Sequence, residues 1–157
     1  EQWIVEEVPR AVREMIGQAT ADSPMFLAGL SMGGYGAMRL GAKYPDRFRA
    51  FSGLSSVTRL QDLSQFIDEE IDLGRVDTRE RDLIDVLRDR SGRLPPFRFD
   101  CGTEDSLLDA NRLLHAELEQ AGIPHQYEEF PGGHEWSYWE QHLEDTLLFF
   151  QQVWRSL

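Results

Sequence analysis

The 157-residue chain has one cysteine, Cys101, which excludes an internal disulfide framework and a cysteine-rich zinc site. Positive charge is scarce: 16 Lys and Arg against 28 Asp and Glu leave a net charge of −12, which repels phosphate backbones and anionic lipid. Nucleic-acid and membrane-surface roles are therefore not expected. No apolar run approaches the ~18–20 residues of a membrane span, and no signal peptide is visible. There is no initiator Met, and residues 1–16 read as the continuation of something already under way, with Trp3, Val5, Val8, Val12 and Ile16 forming an apolar stripe. The expectation is a fragment or a processed chain. Internal repeats and low-complexity tracts are lacking. The length suits one domain, able to bury roughly 68–70% of its unfolded surface without a disulfide or metal staple.

What is present is an alternation of strand and helix patterns. Helices are expected at about 1–17, 33–43, 106–121 and 136–155, and strands at 25–30, 48–53, 97–101 and 125–130. This rhythm predicts an α/β fold with a mostly parallel sheet covered by helices on both faces. Ser106 with Asp109 makes a capping-box pattern, and Gly122 and Pro124 stop the helix that follows it. Trp136, Trp139, Leu143, Leu147, Phe150 and Trp154 give the last helix a wide apolar stripe suited to packing on a sheet. Residues 58–94 break the rhythm with two expected helices, about 60–70 and 79–90, dense in Asp, Glu and Arg. That segment reads either as a helical cap inserted over a site or as a solvated crossover.

The junction of the strand at 25–30 with the next helix carries Gly29-Leu30-Ser31-Met32-Gly33. A serine at a sharp strand-to-helix bend has strained backbone angles and a hydroxyl projecting above the sheet, so small residues are needed two positions before and after it. The helix N-terminus just past Ser31 points free N–H groups toward the place where an oxyanion would form, with the Met32 N–H as one donor. The pattern points to hydrolysis or transfer of an acyl group.

Such a serine needs a base, and the base needs a carboxylate to fix its tautomer. Of the four histidines, His115 and His142 lie within helices and His125 opens a strand, so each reads as a surface or packing residue. His134 follows the flexible Pro131-Gly132-Gly133 after a strand, and is the candidate base. The carboxylate is expected in the turn after the strand at 97–101, with Asp105 the choice and Glu104 and Asp109 the alternatives. The order Ser31, Asp105, His134 is that of the α/β-hydrolase triad. Cys101 reads as a small buried residue. Tyr35 and Trp136 flank the expected site as candidates to line a substrate pocket, whereas Trp139 reads as packing for the last helix. His134-Glu135 resembles the start of a zinc-binding H-E-x-x-H, but position 138 is Tyr, so no metal site is expected there.

Gly-Leu-Ser-Met-Gly-Gly-Tyr-Gly-Ala-Met at 29–38, Tyr44-Pro45-Asp46-Arg47-Phe48, Phe51-Ser52-Gly53, Cys101-Gly102-Thr103-Glu104-Asp105, Ala121-Gly122-Ile123-Pro124-His125 and Pro131-Gly132-Gly133-His134-Glu135-Trp136 together resemble the α/β-hydrolase family that contains esterase D, S-formylglutathione hydrolases, tributyrin and feruloyl esterases and mycolyltransferases. The resemblance covers nearly the whole chain, with 58–94 the weakest part. It implies Ser31 as nucleophile, Asp105 as acid, His134 as base, Met32 as an oxyanion donor, an ester or thioester substrate, and no cofactor. It also implies that the earlier strands of the sheet, and the loop giving the second oxyanion N–H, lie upstream of these residues. The strand at 25–30 would then be an open edge, paired with a separate N-terminal polypeptide or a second copy of the chain. Acyl transfer and serine peptidase activity use the same triad, and a truncated module that only binds a partner is the non-enzymatic alternative.

Overall fold

The fold is seen in a computed structural model that describes residues 1–66, 74 and 76–156. Four strands, β1 (Phe26–Leu30), β2 (Ala50–Leu54), β3 (Phe97–Gly102) and β4 (Gln126–Phe130), form one sheet in the order β1-β2-β3-β4. All three pairings are parallel, with Phe26 opposite Ala50, Phe51 opposite Phe97 and Arg98 opposite Gln126. Parallel neighbours require crossovers. Helices α2 (Met32–Lys43), α3 (Leu83–Asp89) and α4 (Leu108–Gln120) supply them, and α5 (Trp136–Arg155) closes the chain. β1 lies at one edge of this sheet and β4 at the other.

The two faces of the sheet are filled by different chemistry. Phe97, Phe99 and Cys101 alternate toward α2, α3 and α4, where they join Met38, Phe51, Leu83, Leu87, Leu114 and Leu118 in the main apolar core. The Phe51 and Phe97 rings stack there at 4.8 Å. The residues between them, Arg98 and Asp100, are also fully buried but serve the α5 face. Arg98 bonds Asp100 at 2.8 Å, Glu128 at 2.9 Å and the Thr146 hydroxyl at 2.8 Å. Ser52 reaches the same threonine at 2.8 Å, and the Tyr138 hydroxyl donates to Asp100 at 2.9 Å. Burial pushes the Asp100 carboxyl up to about 6 despite the pull of the Arg98 guanidinium and the Tyr138 hydroxyl. Alternation of phenylalanine with ionic residues along one buried strand thus separates a greasy face from a polar one.

Several sequence expectations are corrected in detail. The first helix is not uniform: a π-helical stretch at Trp3–Glu7 runs into α1 (Val8–Met15). Pro9 has no N–H to give to Val5, so the ladder widens just before it. Of the apolar stripe only Val5 is buried, against Leu40 and Phe48 of the α2 region. The Ser106–Asp109 capping box does not form: α4 starts two residues later than expected, at Leu108, after an N-cap at Leu107, whose N–H is taken by Asp105 at 2.8 Å. Within 58–94, the expected helix at 60–70 is a 3-10 helix at Leu60–Gln65, and its continuation at 67–70 lies outside the described residues. The expected helix at 79–90 splits into a 3-10 turn at Thr78–Glu80 and α3, and α3 packs in the main core. The base of the excursion is pinned by an antiparallel bridge between Arg59 and Asp82 and by Glu80, which pairs with Arg39 and Lys43 of α2.

A contrast between two glycines of α2 tests this packing. A Cβ on Gly41 would sit 2.3 Å from the Phe51 ring, whereas one on Gly36 would meet nothing within 4 Å among the described residues. Gly41→Ala is expected to cost roughly 1–3 kcal/mol through overpacking, and Gly36→Ala to gain up to about 1 kcal/mol from helix propensity, both read from denaturant unfolding.

Candidate active site

Between the end of β1 and the start of α2 stands one residue, Ser31, with φ 54° and ψ −121°, a conformation L-residues rarely adopt. Neighbouring backbone holds it there. The Ser31 N–H donates to the Leu54 carbonyl at 2.9 Å, and the Ser31 carbonyl accepts from Val57 at 3.1 Å and Tyr35 at 3.2 Å. Ser31 occupies the N-cap of α2 yet makes no capping bond, which leaves its hydroxyl free for another partner. The tight turn brings β1 against α2: a Cβ on Gly29 would lie 2.0 Å from the Gly33 carbonyl oxygen. At Gly33 a Cβ would meet nothing within 4 Å, so of the two glycines that the motif pairs, only Gly29 is demanded by contacts among the described residues.

The acid and base loops are knitted together at the ends of β3 and β4. Thr103 donates to the Phe130 carbonyl at 2.8 Å and Glu104 to the Gly132 carbonyl at 2.9 Å, with Gly132 at φ 131°. This pairing sets His134 beside Asp105. His134 Nδ1 lies 2.9 Å from Asp105 Oδ2, and its Nε2 lies 2.9 Å from Ser31 Oγ. Asp105 is buried, whereas Glu104 and Asp109 are exposed and stand outside this chain of contacts. Burial works against charge on Asp105, but the bonds from His134 and from the Leu107 N–H outweigh it and hold the carboxyl below its ordinary value. A charged Asp105 keeps the His134 proton on Nδ1 and leaves Nε2 to accept from the serine.

Two aromatic residues flank the imidazole, and neither was expected to. Phe66, from the excursion after β2, stacks on the His134 ring at 4.9 Å. Trp139 meets that ring edge-on at 4.9 Å and is itself buried. The spacing of Trp136 and Trp139 on one helix face was the available signal for Trp139; nothing local marks Phe66. Trp136 is 68% exposed, packs edge-on against Trp139 at 5.3 Å, and helps line an apolar groove of about 260 Å³ with Gly29, Leu30, Leu54, Trp139 and Leu143. Tyr35 is placed differently from the expectation: it is buried in the main core and its hydroxyl donates to the Glu80 carbonyl, so it anchors the excursion. Burial also pushes the Cys101 thiol well above its usual range, which leaves it protonated and poorly nucleophilic. Among the described residues one group of side chains has metal-ligand spacing, His115, Glu119 and His125, and it includes none of Ser31, Asp105 and His134.

The family model described as "Putative esterase" matches residues 1–150. The chain belongs to this esterase family. It is 30% identical to an acetyl esterase of Caldicellulosiruptor saccharolyticus over 97% of its own length and 64% of the relative's. The S-formylglutathione hydrolase FrmB of Staphylococcus aureus superposes with a TM-score of 0.76 at 26% identity, over 89% of this chain and 61% of that one. A ferulic acid esterase superposes with a TM-score of 0.76 at 26% identity, over 97% and 60%. The chain therefore spans a little under two thirds of the length of these relatives. Their folds are α/β-hydrolases, in agreement with the parallel sheet seen here.

The depressed Asp105 carboxyl ties stability to pH. Because its folded value lies below the unfolded value of about 4, its contribution is complete above that pH and is lost as pH falls through the folded value. In denaturant unfolding, the stability advantage of the wild-type protein over Asp105→Asn should be constant at neutral pH and shrink as the pH drops below about 4.

Proposed function

We propose that this chain carries the nucleophile, acid and base of a serine carboxylic-ester hydrolase that works through an acyl-enzyme. The observation that carries the reading is the continuous line of contacts from Asp105 through His134 to Ser31, each 2.9 Å long. His134 Nε2 takes the Ser31 proton as Oγ attacks the acyl carbon, and Asp105 stabilises the imidazolium so formed. His134 then returns that proton to the departing alcohol. In the second half the same nitrogen deprotonates a water that attacks the acyl-enzyme, and Ser31 leaves with the proton.

The Met32 N–H, in the first turn of α2 where amides lack intrahelical acceptors, is the proposed oxyanion donor within this chain. The second donor, and a strand beside β1, are proposed to come from the part of the relatives' length that this chain does not span. Consistent with a neighbour on that side, Leu143, Leu147 and Trp154 of α5 are exposed. Phe66 over His134 supports a role for the excursion after β2 as a partial cover of the site. A thioester substrate or an alcohol acceptor would use the same three residues; among the relatives, the acetyl esterase and ferulic acid esterase are named for oxygen esters and the S-formylglutathione hydrolase for a thioester.

Two measurements test the reading. Ser31→Ala should abolish labelling by a fluorophosphonate and lower p-nitrophenyl acetate turnover by at least about 10³-fold, without loss of fold by circular dichroism. Labelling that survives Ser31→Ala would overturn it. If the groove beside β1 receives the acyl group, Trp136→Ala should change the preference among p-nitrophenyl acetate, butyrate and hexanoate more than it changes unfolding stability, since Trp136 is largely exposed.

A further inference from the structure

The N-terminal end of β4 holds a second cluster of titratable side chains, at the opposite end of the strand from the loop that carries His134. His115 and Glu119 stand four positions apart on α4, hence on one helix face, and His125 immediately precedes β4. One ligand atom from each lies within 4.8 Å of the others. His115 Nδ1 faces His125 Nε2 at 2.8 Å. His125 Nδ1 lies 2.8 Å from the Ile123 carbonyl, which can only accept, so that nitrogen carries the ring proton and Nε2 offers its lone pair toward His115. A histidine whose far nitrogen donates to a backbone carbonyl, with its near nitrogen aimed at another donor atom, has the arrangement of a metal ligand supported from behind.

We propose that His115, Glu119 and His125 form a binding site for a divalent transition-metal ion, with Zn²⁺ the best fit, that fastens the end of α4 to the start of β4. Two imidazole nitrogens and one carboxylate oxygen make a borderline-soft set that suits Zn²⁺ and disfavours Mg²⁺ and Ca²⁺. The histidine pair is already close to the required spacing, while Glu119, whose carboxylate oxygen lies within 4.8 Å of both nitrogens, swings in on its exposed side chain. Nitrogens bound to one tetrahedral zinc at about 2.0–2.1 Å stand roughly 3.3 Å apart, so the two rings open by about half an ångström. His115 moves its proton from Nδ1 to Nε2, both rings stay neutral, and the shared hydrogen bond is replaced by two metal–nitrogen bonds. Glu119 is exposed and the two histidines are partly so, which leaves the fourth position to water and gives the ion a path in. The rings are held for this by neighbours: His115 stacks on Tyr127 at 4.7 Å, and His125 lies against Phe97 and Phe99. The ion would bridge the turn at 121–125, and its effect would be on the stability of that edge of the sheet rather than on the acyl chemistry.

Isothermal titration of the tag-free protein with ZnCl₂, with MgCl₂ as control, tests the proposal. The expected result is one Zn²⁺ per chain, no Mg²⁺ binding, and a melting temperature that rises with Zn²⁺. His125→Gln and Glu119→Gln should each weaken binding by at least the 10- to 100-fold typical of losing even an outer partner of a ligand, and should remove the thermal shift. Glu119→Gln lies on the surface and keeps the test sound if a histidine variant unfolds. His134→Ala should bind Zn²⁺ like the wild type. Absence of saturable binding, binding unchanged in Glu119→Gln and His125→Gln, or binding lost in His134→Ala would each overturn it.

Discussion

Everything at the site depends on the chain turning from β1 into α2 through the single residue Ser31. A side chain at φ 54° and ψ −121° is strained, and such a conformation persists only where its surroundings over-determine it. Those surroundings are the parallel pairing of β1 with β2, whose end accepts the Ser31 N–H, and the loop after β2, which donates back to the Ser31 carbonyl through Val57. The close approach of Gly29 to Gly33 completes the clamp. The same clamp denies Ser31 its ordinary work as a helix cap and leaves its hydroxyl to His134.

Beneath that turn the sheet does two jobs with one strand. The odd residues of β3 bind three helices through a phenylalanine core, and the even ones carry a buried ion pair to α5. Asp100 and Asp105 are five residues apart and experience opposite fields. Asp100 is raised because desolvation wins over its partners, while Asp105 is lowered because hydrogen bonds to its charged form win over desolvation. Only the second is suited to stay ionised beside His134. The helix that covers the ionic face, α5, begins just after His134 and brings Trp139 against its ring.

Much of the fold was legible in the sequence because its signals are local. The apolar strand, the glycine-flanked serine and the following helix pattern occupy 25–43 without interruption, and the Gly122 and Pro124 stop signals mark the end of α4 correctly. Errors fell where tertiary contacts override local pattern. Ser106 looks like a cap, but Asp105 two residues ahead of Leu107 takes the amide, since its carboxylate is already placed by His134. Tyr35 stands near the serine in sequence, yet its turn of α2 faces the core and Glu80. Phe66 lies in an excursion with no apolar rhythm, so its stacking on His134 had no sequence counterpart.

By itself the sequence determined the α/β alternation and the strand–serine–helix junction, and it singled out Ser31 and His134, because strand, bend and helix are written in short-range patterns of size and polarity. Tertiary structure separated Asp105, the choice from sequence, from its alternatives Glu104 and Asp109, and it alone decided which aromatic residues enclose His134, that half of β3 is ionic where it is buried, and that His115 and His125 face each other. The reason is separation along the chain: Ser31 and His134 are 103 residues apart and Asp105 and His134 are 29 apart, and contacts that distant are set by how β1, β3 and β4 pack in one sheet.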